Sequence, residues 1–434
     1  MLRSKFPRAV VLALWVGIAA PVAEAQSDTC LTFIDSLLLA AERAPEVDVA
    51  RARRDEAEAN LVEARSLRRP QVSSFVRSGV GDTGLTGNQV DNQLGFRMSQ
   101  RLYDFGDSRL ARQAAISELN QQYYGLWAQQ MQVSGLVAEA YLSKLEADAM
   151  IGVIAERRDY FQRQKSAVDH LLSRGGATRA ESAQIAAELA QADAEVLELR
   201  FLSQRAQTRL AEYTGLGLEV CPTGAASAAL DAHIGDLQTV DDIVAAALSY
   251  NPQVGARRSA IDSLEATRDR ERRTRLPAIE VVGIASYVYN DFREDWEYRD
   301  RVGLDVSVPI LTGNRLGARR ARAEARLAQE EGALRALQRS LREETEIAFL
   351  RAMSLQAQLI RRETVAESQH AYFDAIAGEF EFGLGTLPDL VQARLAYEQA
   401  ELELVSTRFA LLRQKLNLMQ LAARMPLPDR DRAR

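Results

Sequence analysis

The sequence repeats itself at a spacing of 208 residues, so the chain is two copies of one unit before it is anything else. The clearest copy runs from Ala348 to Leu421. It holds a helical run, then Phe382-Gly383-Leu384-Gly385-Thr386-Leu387-Pro388-Asp389, then a second helical run. In that second run Leu390, Tyr397, Leu404, Leu411 and Leu418 recur every seventh residue, which is the seam of a coiled coil. The Gly-x-Gly-Thr stretch between the runs has no apolar period, and glycine accepts positive φ, so it reads as a hairpin tip. Moving back by 208 finds a seam at Leu189, Val196, Ser203 and Leu210 and a tip at Gly175, Thr178 and Glu181.

Each copy also carries two prolines 25 residues apart, Pro45 and Pro70 in the first, Pro252 and Pro277 in the second. Proline lacks an N–H and clashes with the preceding turn, so it bounds helices. The spacing predicts a short helix over Cys30–Ala44 and another over Glu46–Arg69. Beyond each second proline the apolar period changes to two. Leu94, Phe96, Met98 and Leu102 alternate with polar or small residues, as do Val302, Leu304, Val306, Val308 and Ile310. With Val72–Val80 and Ile279–Tyr289 as partners, this predicts four strands in two hairpins, joined by loops at Gly81–Asp91 and Asn290–Asp300.

One apolar and one polar face suits a transmembrane β-strand, and equally a small soluble sheet packed on one side. Four strands cannot close a barrel, and lipid does not tolerate open edges, so a membrane version needs several chains in one barrel. Three chains would supply twelve strands.

Helix lengths give a second constraint. Asp107 to Ser173 is a near-unbroken helical run, ~100 Å long. Ile116, Leu119, Tyr123, Leu126, Gln130, Val133, Val137 and Ala140 form its heptad seam. The returning run, Thr178 to Thr214, is only ~55 Å long, and the 46–69 helix supplies the missing ~36 Å. One long helix therefore lies against two short ones stacked end to end. The Gly-, Ala- and Pro-rich stretches 215–240 and 423–434 read as breaks.

The resulting division is 1–25, a signal peptide; 26–222, the first repeat, with a β-hairpin at about 71–103 and a helical hairpin at about 107–214 whose tip is 174–181; and 223–240, a linker. The second repeat spans 241–423, with a β-hairpin at about 278–311 and a helical hairpin at about 315–422 whose tip is 382–389, followed by a polar tail at 424–434. The signal rests on Arg3, Lys5 and Arg8, the apolar core Ala9–Ala20 and the cleavage pattern Ala23-Glu24-Ala25. Losing it takes the formal net charge from −6 to about −8. That balance, without a basic patch recognisable in the sequence, argues against nucleic acid as a partner. Two cysteines in an exported chain, Cys30 and Cys221, suit a disulfide tying the ends of the first half, or two buried thiols.

Chemistry is poorly supplied. His170, His233 and His370 have no metal-binding spacing, and no nucleophile or acid–base pair stands out, so neither an enzyme, a metal nor a cofactor is expected. Gly79-Val80-Gly81-Asp82-Thr83-Gly84 spells a dinucleotide fingerprint, but between two strands rather than between strand and helix. The tip acids Glu181 and Asp389 allow two readings. They could form acidic rings that gate a pore in a trimer, or be acids stabilised in the first turn of a helix.

Taken together, several segments resemble the TolC family of bacterial outer-membrane efflux proteins. They are Ala41–Pro70 and Ala246–Pro277, Gln100-Arg101-Leu102-Tyr103-Asp104-Phe105-Gly106, Val308-Pro309-Ile310-Leu311-Thr312-Gly313, and above all the tip Phe382–Ala393. The resemblance implies a mainly α chain with a membrane β part, assembled as a homotrimer. Its twelve-stranded barrel would lie in the outer membrane and its twelve-helix tunnel in the periplasm. It implies a periplasmic adaptor, with an inner-membrane ABC or proton-driven transporter behind it. Constriction acids carry over to Asp389 and Glu181, while the second acid of that turn falls on Gln392. Adaptor docking carries over to Gly175, Gly176, Thr178, Gly383, Gly385 and Thr386. The duct could serve type I secretion, the reading preferred here, or drug or metal efflux. A reading of another class is an exported coiled-coil spacer without a pore.

Overall fold

The computed structural model describes residues 30–82, 88–90, 92–235, 239–290 and 293–428. The signal segment 1–25, Thr83 and Gly84 of the glycine-rich stretch, and the tail beyond residue 428 lie outside them.

Caps and prolines start the helices. Thr32 accepts from Asp35 N to open α1 (Phe33–Arg43), and Pro45 occupies the first turn of α2 (Pro45–Ser66). The expected first helix therefore begins three residues late, and the second ends before Arg69. In the second copy Asn251 caps α7 (Pro252–Arg273), with Gln253 N donating to its Oδ1 at 2.9 Å. The short α6 (Val240–Tyr250) precedes it, behind a Thr239–Asp242 capping box. The long runs are α3 (Asp107–Ser173) and α8 (Arg315–Glu381), and their returns are α4 (Arg179–Thr214) and α9 (Leu387–Leu421). One correction concerns the stretch 223–240, which contains α5 (Thr223–Ile234). Its alanines favour helix, and Ala226 and Leu230, one turn apart, are both fully buried.

β1 (Gln71–Arg77), β4 (Gln93–Tyr103), β5 (Ala278–Asn290) and β6 (Asp295–Ser307) form one antiparallel sheet in the order β1-β4-β5-β6. A small ladder of β2 (Val80–Asp82) on β3 (Asn88–Val90) extends the first hairpin into the predicted loop. The second loop is also shorter than expected, because β6 starts at Asp295. There Trp296 and Tyr298 meet Tyr289 and Tyr287, with ring centres 5.7 and 5.4 Å apart, which carries the hairpin outward. β6 stops at Ser307 rather than Ile310, two residues before Pro309, which has no N–H to give a ladder.

Register sorts the faces. Val72, Met98, Gly283 and Val302 stand in one row across all four strands, and Val76, Leu94, Tyr287 and Tyr298 in another on the same face. The opposite face carries the row Ser73, Arg97, Ile284 and Arg301. The apolar face is bare in the single chain, with Val76 and Val302 77% and 80% exposed. β1 and β6 each have a bonded neighbour on one side only. None of the described helices is long and apolar enough to cross a membrane.

α3 packs on α4 toward the tip and on α2 toward the sheet, end to end as the lengths require. It also packs on α7 of the other repeat, where Gly255 lets the Tyr124 ring lie against the backbone: a Cβ there would fall 2.6 Å from the ring. The seam is buried from Leu126 through Val133, Val137 and Ala140, but Ile116 and Tyr123 are exposed. Nearer the sheet, α3 buries Ala115 and Ser117 instead.

The largest core joins α1, α3, α5 and α9 around Tyr141, Phe33, Leu37 and Leu142. Cys30 and Cys221 are disulfide-bonded beside it, and Leu31 pairs with Val220. The Tyr141 hydroxyl lies 3.0 and 3.2 Å from the Leu31 and Cys221 carbonyls, and burial pushes its pKa up to about 12.

Candidate functional site at the hairpin tips

Both tips share one backbone plan. Gly175 and Gly383 take φ of +77° and +76°, the left-handed region that ends a helix without a Cβ clash. The next N–H then reaches back, Gly176 N to Leu171 O and Leu384 N to Glu379 O, each at 2.9 Å. Thr178 and Thr386 cap the returning helices. Phe382 and Leu384 project from the second tip, 84% and 81% exposed.

The acids belong to these caps. Glu181 Oε2 accepts from Thr178 N at 2.7 Å and from its hydroxyl at 2.9 Å, while Glu181 N donates to Thr178 Oγ1 at 3.2 Å. The Thr178 backbone and side-chain hydrogen bonds hold Glu181 below the usual carboxylate range. Asp389 makes part of the same arrangement, accepting from the Thr386 hydroxyl at 2.6 Å while its N donates to Thr386 Oγ1 at 3.4 Å, without the bond to the Thr386 N–H that completes the box at Glu181. Within one chain, each acid's hydrogen bonds stay inside its own tip. Gln392 is exposed, three residues beyond Asp389 on the same helix.

The tips are clamped together by an apolar cluster in which Phe161 and Val168 of α3 and Ile185 of α4 meet Phe373 of α8 and Leu387 and Leu390 of α9. Next to it lies a buried charge cluster that the sequence reading missed. Arg157 of α3 bonds Glu195 of α4 and, at 2.8 Å, Glu398 of α9, which is 3% exposed. Burial pushes Glu398 up to about 7, against the opposing pull of Arg157. Arg394 sits 5.4, 5.3 and 5.2 Å from the ring centres of Tyr160, Phe373 and Tyr397. A signal was present: Arg157 interrupts the apolar stripe Ile154, Phe161, Val168, and Arg394 follows Leu390 at helical spacing.

Among the described residues no group of three or more His, Cys, Asp or Glu could hold a metal ion. What the geometry offers is a rigid double hairpin, a presented tip and a sheet with one apolar face.

A family model described as outer membrane efflux protein matches residues 37–216 and 243–424. The outer membrane efflux protein BepC of Brucella suis biovar 1 (strain 1330) is 23% identical over 364 residues, covering 81% of this chain and 78% of that protein. The crystal structure of the outer membrane protein VceC from Vibrio cholerae superposes with a TM-score of 0.74 at 17% identity, over 90% of this chain and 95% of that one. The Campylobacter jejuni CmeC outer membrane channel gives 0.76 at 13% identity, over 90% and 85%.

Proposed function

The chain belongs to the outer membrane efflux protein family, and from that premise we propose that three copies assemble into one exit duct. Each copy gives four strands to a twelve-stranded barrel and its two helical hairpins to a periplasmic tunnel. The observation that carries this is the sheet, apolar on one face and open at both β1 and β6. Such a sheet satisfies its backbone in lipid only by joining edge to edge with further copies.

The tips Gly175–Thr178 and Gly383–Thr386 form the end that a periplasmic adaptor grips, with an inner-membrane transporter behind it. Asp389 and Glu181, with Gln392, line the narrowest ring, where repeated carboxylates favour cations. Their capping bonds support this role, since a carboxylate fixed by its own helix start is held in place. Type I secretion and small-molecule efflux use the same duct. A peptidase-containing ABC transporter encoded beside this gene would mark the first, and a large antiporter the second.

Planar-bilayer conductance of detergent-extracted protein tests the duct, comparing wild type with Asp389→Asn and Glu181→Gln, which keep a capping oxygen and lose the charge. Cation-selective channels whose selectivity falls in the variants are expected. Unchanged selectivity would remove the acids from the constriction, and a non-conducting soluble rod would sink the duct.

A further inference from the structure

Four segments flank the passage between helix and sheet. They are 63–70 at the end of α2, 97–112 from β4 into α3, 268–280 from α7 into β5, and 305–324 from β6 into α8. Together they hold sixteen arginines and eight acids, a balance of +8 in a chain whose net charge is −6. They share one level, because the register sets Gln71 opposite Ser99, Ile279 opposite Tyr103 and Ala278 opposite Ser307.

Most of the acids there are already engaged. Asp107 pairs with Arg270 at 2.9 Å, Glu280 with Arg101 at 3.1 Å, and Glu324 with Arg320 at 3.1 Å. The surplus arginines are exposed. Arg65 lies at the end of α2 with Arg68 and Arg69 just beyond it, and Arg109 and Arg112 open α3, with no acidic partner among the described residues. Arg315, Arg319 and Arg322 recur at helical spacing along the start of α8, equally exposed and without an acidic partner among the described residues. Exposed apolar side chains adjoin this collar, Tyr103 at the end of β4, Phe105 just after it, and Ile310 and Leu311, 94% and 93% exposed, after β6.

We propose that this arginine collar is a docking surface for anionic phospholipid headgroups of the periplasmic leaflet. The collar stands where the apolar face of the sheet ends, which in a membrane barrel is the headgroup level. Guanidinium forks match phosphate oxygens in pairs, and the adjoining apolar lip suits the upper acyl chain. A level with this charge surplus repels itself in water and is relieved by anionic lipid. The inference rests on the barrel lying in the membrane, and the test separates the two.

The detergent-extracted assembly is exposed to phosphatidylglycerol or phosphatidylcholine, and retained lipid is counted by native mass spectrometry. Preference for the anionic lipid of about fivefold or more is expected at low salt, falling toward parity in about 0.5 M salt. The combined substitution Arg315→Gln, Arg319→Gln, Arg322→Gln, alone or with Arg65→Gln, Arg68→Gln and Arg69→Gln, should abolish it. Arg351→Gln with Arg361→Gln, exposed arginines midway along α8, should not. Inorganic phosphate should fail to displace the lipid. No preference in wild type, an equal preference in the collar variants, or full displacement by phosphate overturns the proposal. Conductance of the same samples reports on the duct independently, so channels without lipid preference would refute the collar alone.

Discussion

α3 and α8 each run for 67 residues and descend from the same duplicated unit, yet α3 buries twenty-two of its residues and α8 nine. The difference is sharpest at matched positions. Leu142 is fully buried and Leu350, its counterpart 208 residues on, is 67% exposed; Leu145 and Met353 stand at 6% and 58%. α3 lies in the middle of the chain, touched by α1, α2, α4, α7 and α9. α8 packs mainly on α9, α7 and α6, and meets α3 only near the tip, through Phe373. Duplication copied the helix and its apolar residues, and the fold then gave the copies different neighbours. In the proposed trimer, the apolar face that α8 leaves open is the one another copy covers.

The largest effect expected from this contrast comes from truncating the matched leucines. Leu142→Ala should cost about 3–5 kcal/mol in denaturant unfolding, through lost burial and a cavity. Leu350→Ala should cost under about 0.5 kcal/mol in the separated chain and weaken assembly instead, seen as monomer in light scattering. Equal losses at both sites would break the comparison.

The disulfide comes next, because only the first half has one. Cys30→Ser with Cys221→Ser should cost about 2–5 kcal/mol. Hydrogen exchange should rise at α1 and the α4–α5 connection while α8 and α9 keep their protection. A uniform rise would mean that the two halves unfold as one.

Glu398 gives a pH-dependent difference between the hairpins. Its pKa is raised by burial, so between the ordinary carboxylate range and about 7 the folded chain holds a proton that the unfolded chain has lost. Stability from this group is therefore present at pH 5 and declines as pH rises through 7. Hydrogen exchange near Arg157 and Glu398 should accelerate from pH 5 to 8 after correction for intrinsic rates. Glu398→Gln should flatten that trend, and a variant with the wild-type slope would exonerate the group. Glu195, Glu188, Arg157 and Arg394 act on the same carboxyl, so each is expected to shift the midpoint when substituted.

The smallest effect sits at the caps. Thr178→Ala and Thr386→Ala each remove a side-chain acceptor and should cost about 1 kcal/mol locally. Because the tips are built alike, similar losses are expected at both, and a clear inequality would show that one tip is held by other contacts.

Much of this was legible in the sequence because it is periodic and local. Prolines and glycines mark breaks by backbone sterics alone, so Asp107–Ser173 could be placed to the residue. The strands showed through alternation, although the aromatic pairs that lengthen β6 join residues across the hairpin and carry no period. α5 was hidden because its flanking glycines and proline outweighed its alanines. The site was half legible. Both tips follow from the repeat, but the cluster of Arg157, Glu195 and Glu398 gathers side chains from three helices: the break that Arg157 makes in its apolar stripe marks a buried charge, while its partners on the other helices carry no local pattern. The sequence equally could not show that Leu142 and Leu350 part company, since burial depends on neighbours rather than on residue type.

The central claim is that one chain is a third of a duct, and the most direct test is the mass of the particle extracted from membranes in mild detergent. Native mass spectrometry should find three copies of the chain per particle, persisting on dilution and lost with Leu350→Glu. A single chain per particle, or an even number insensitive to that substitution, would contradict it.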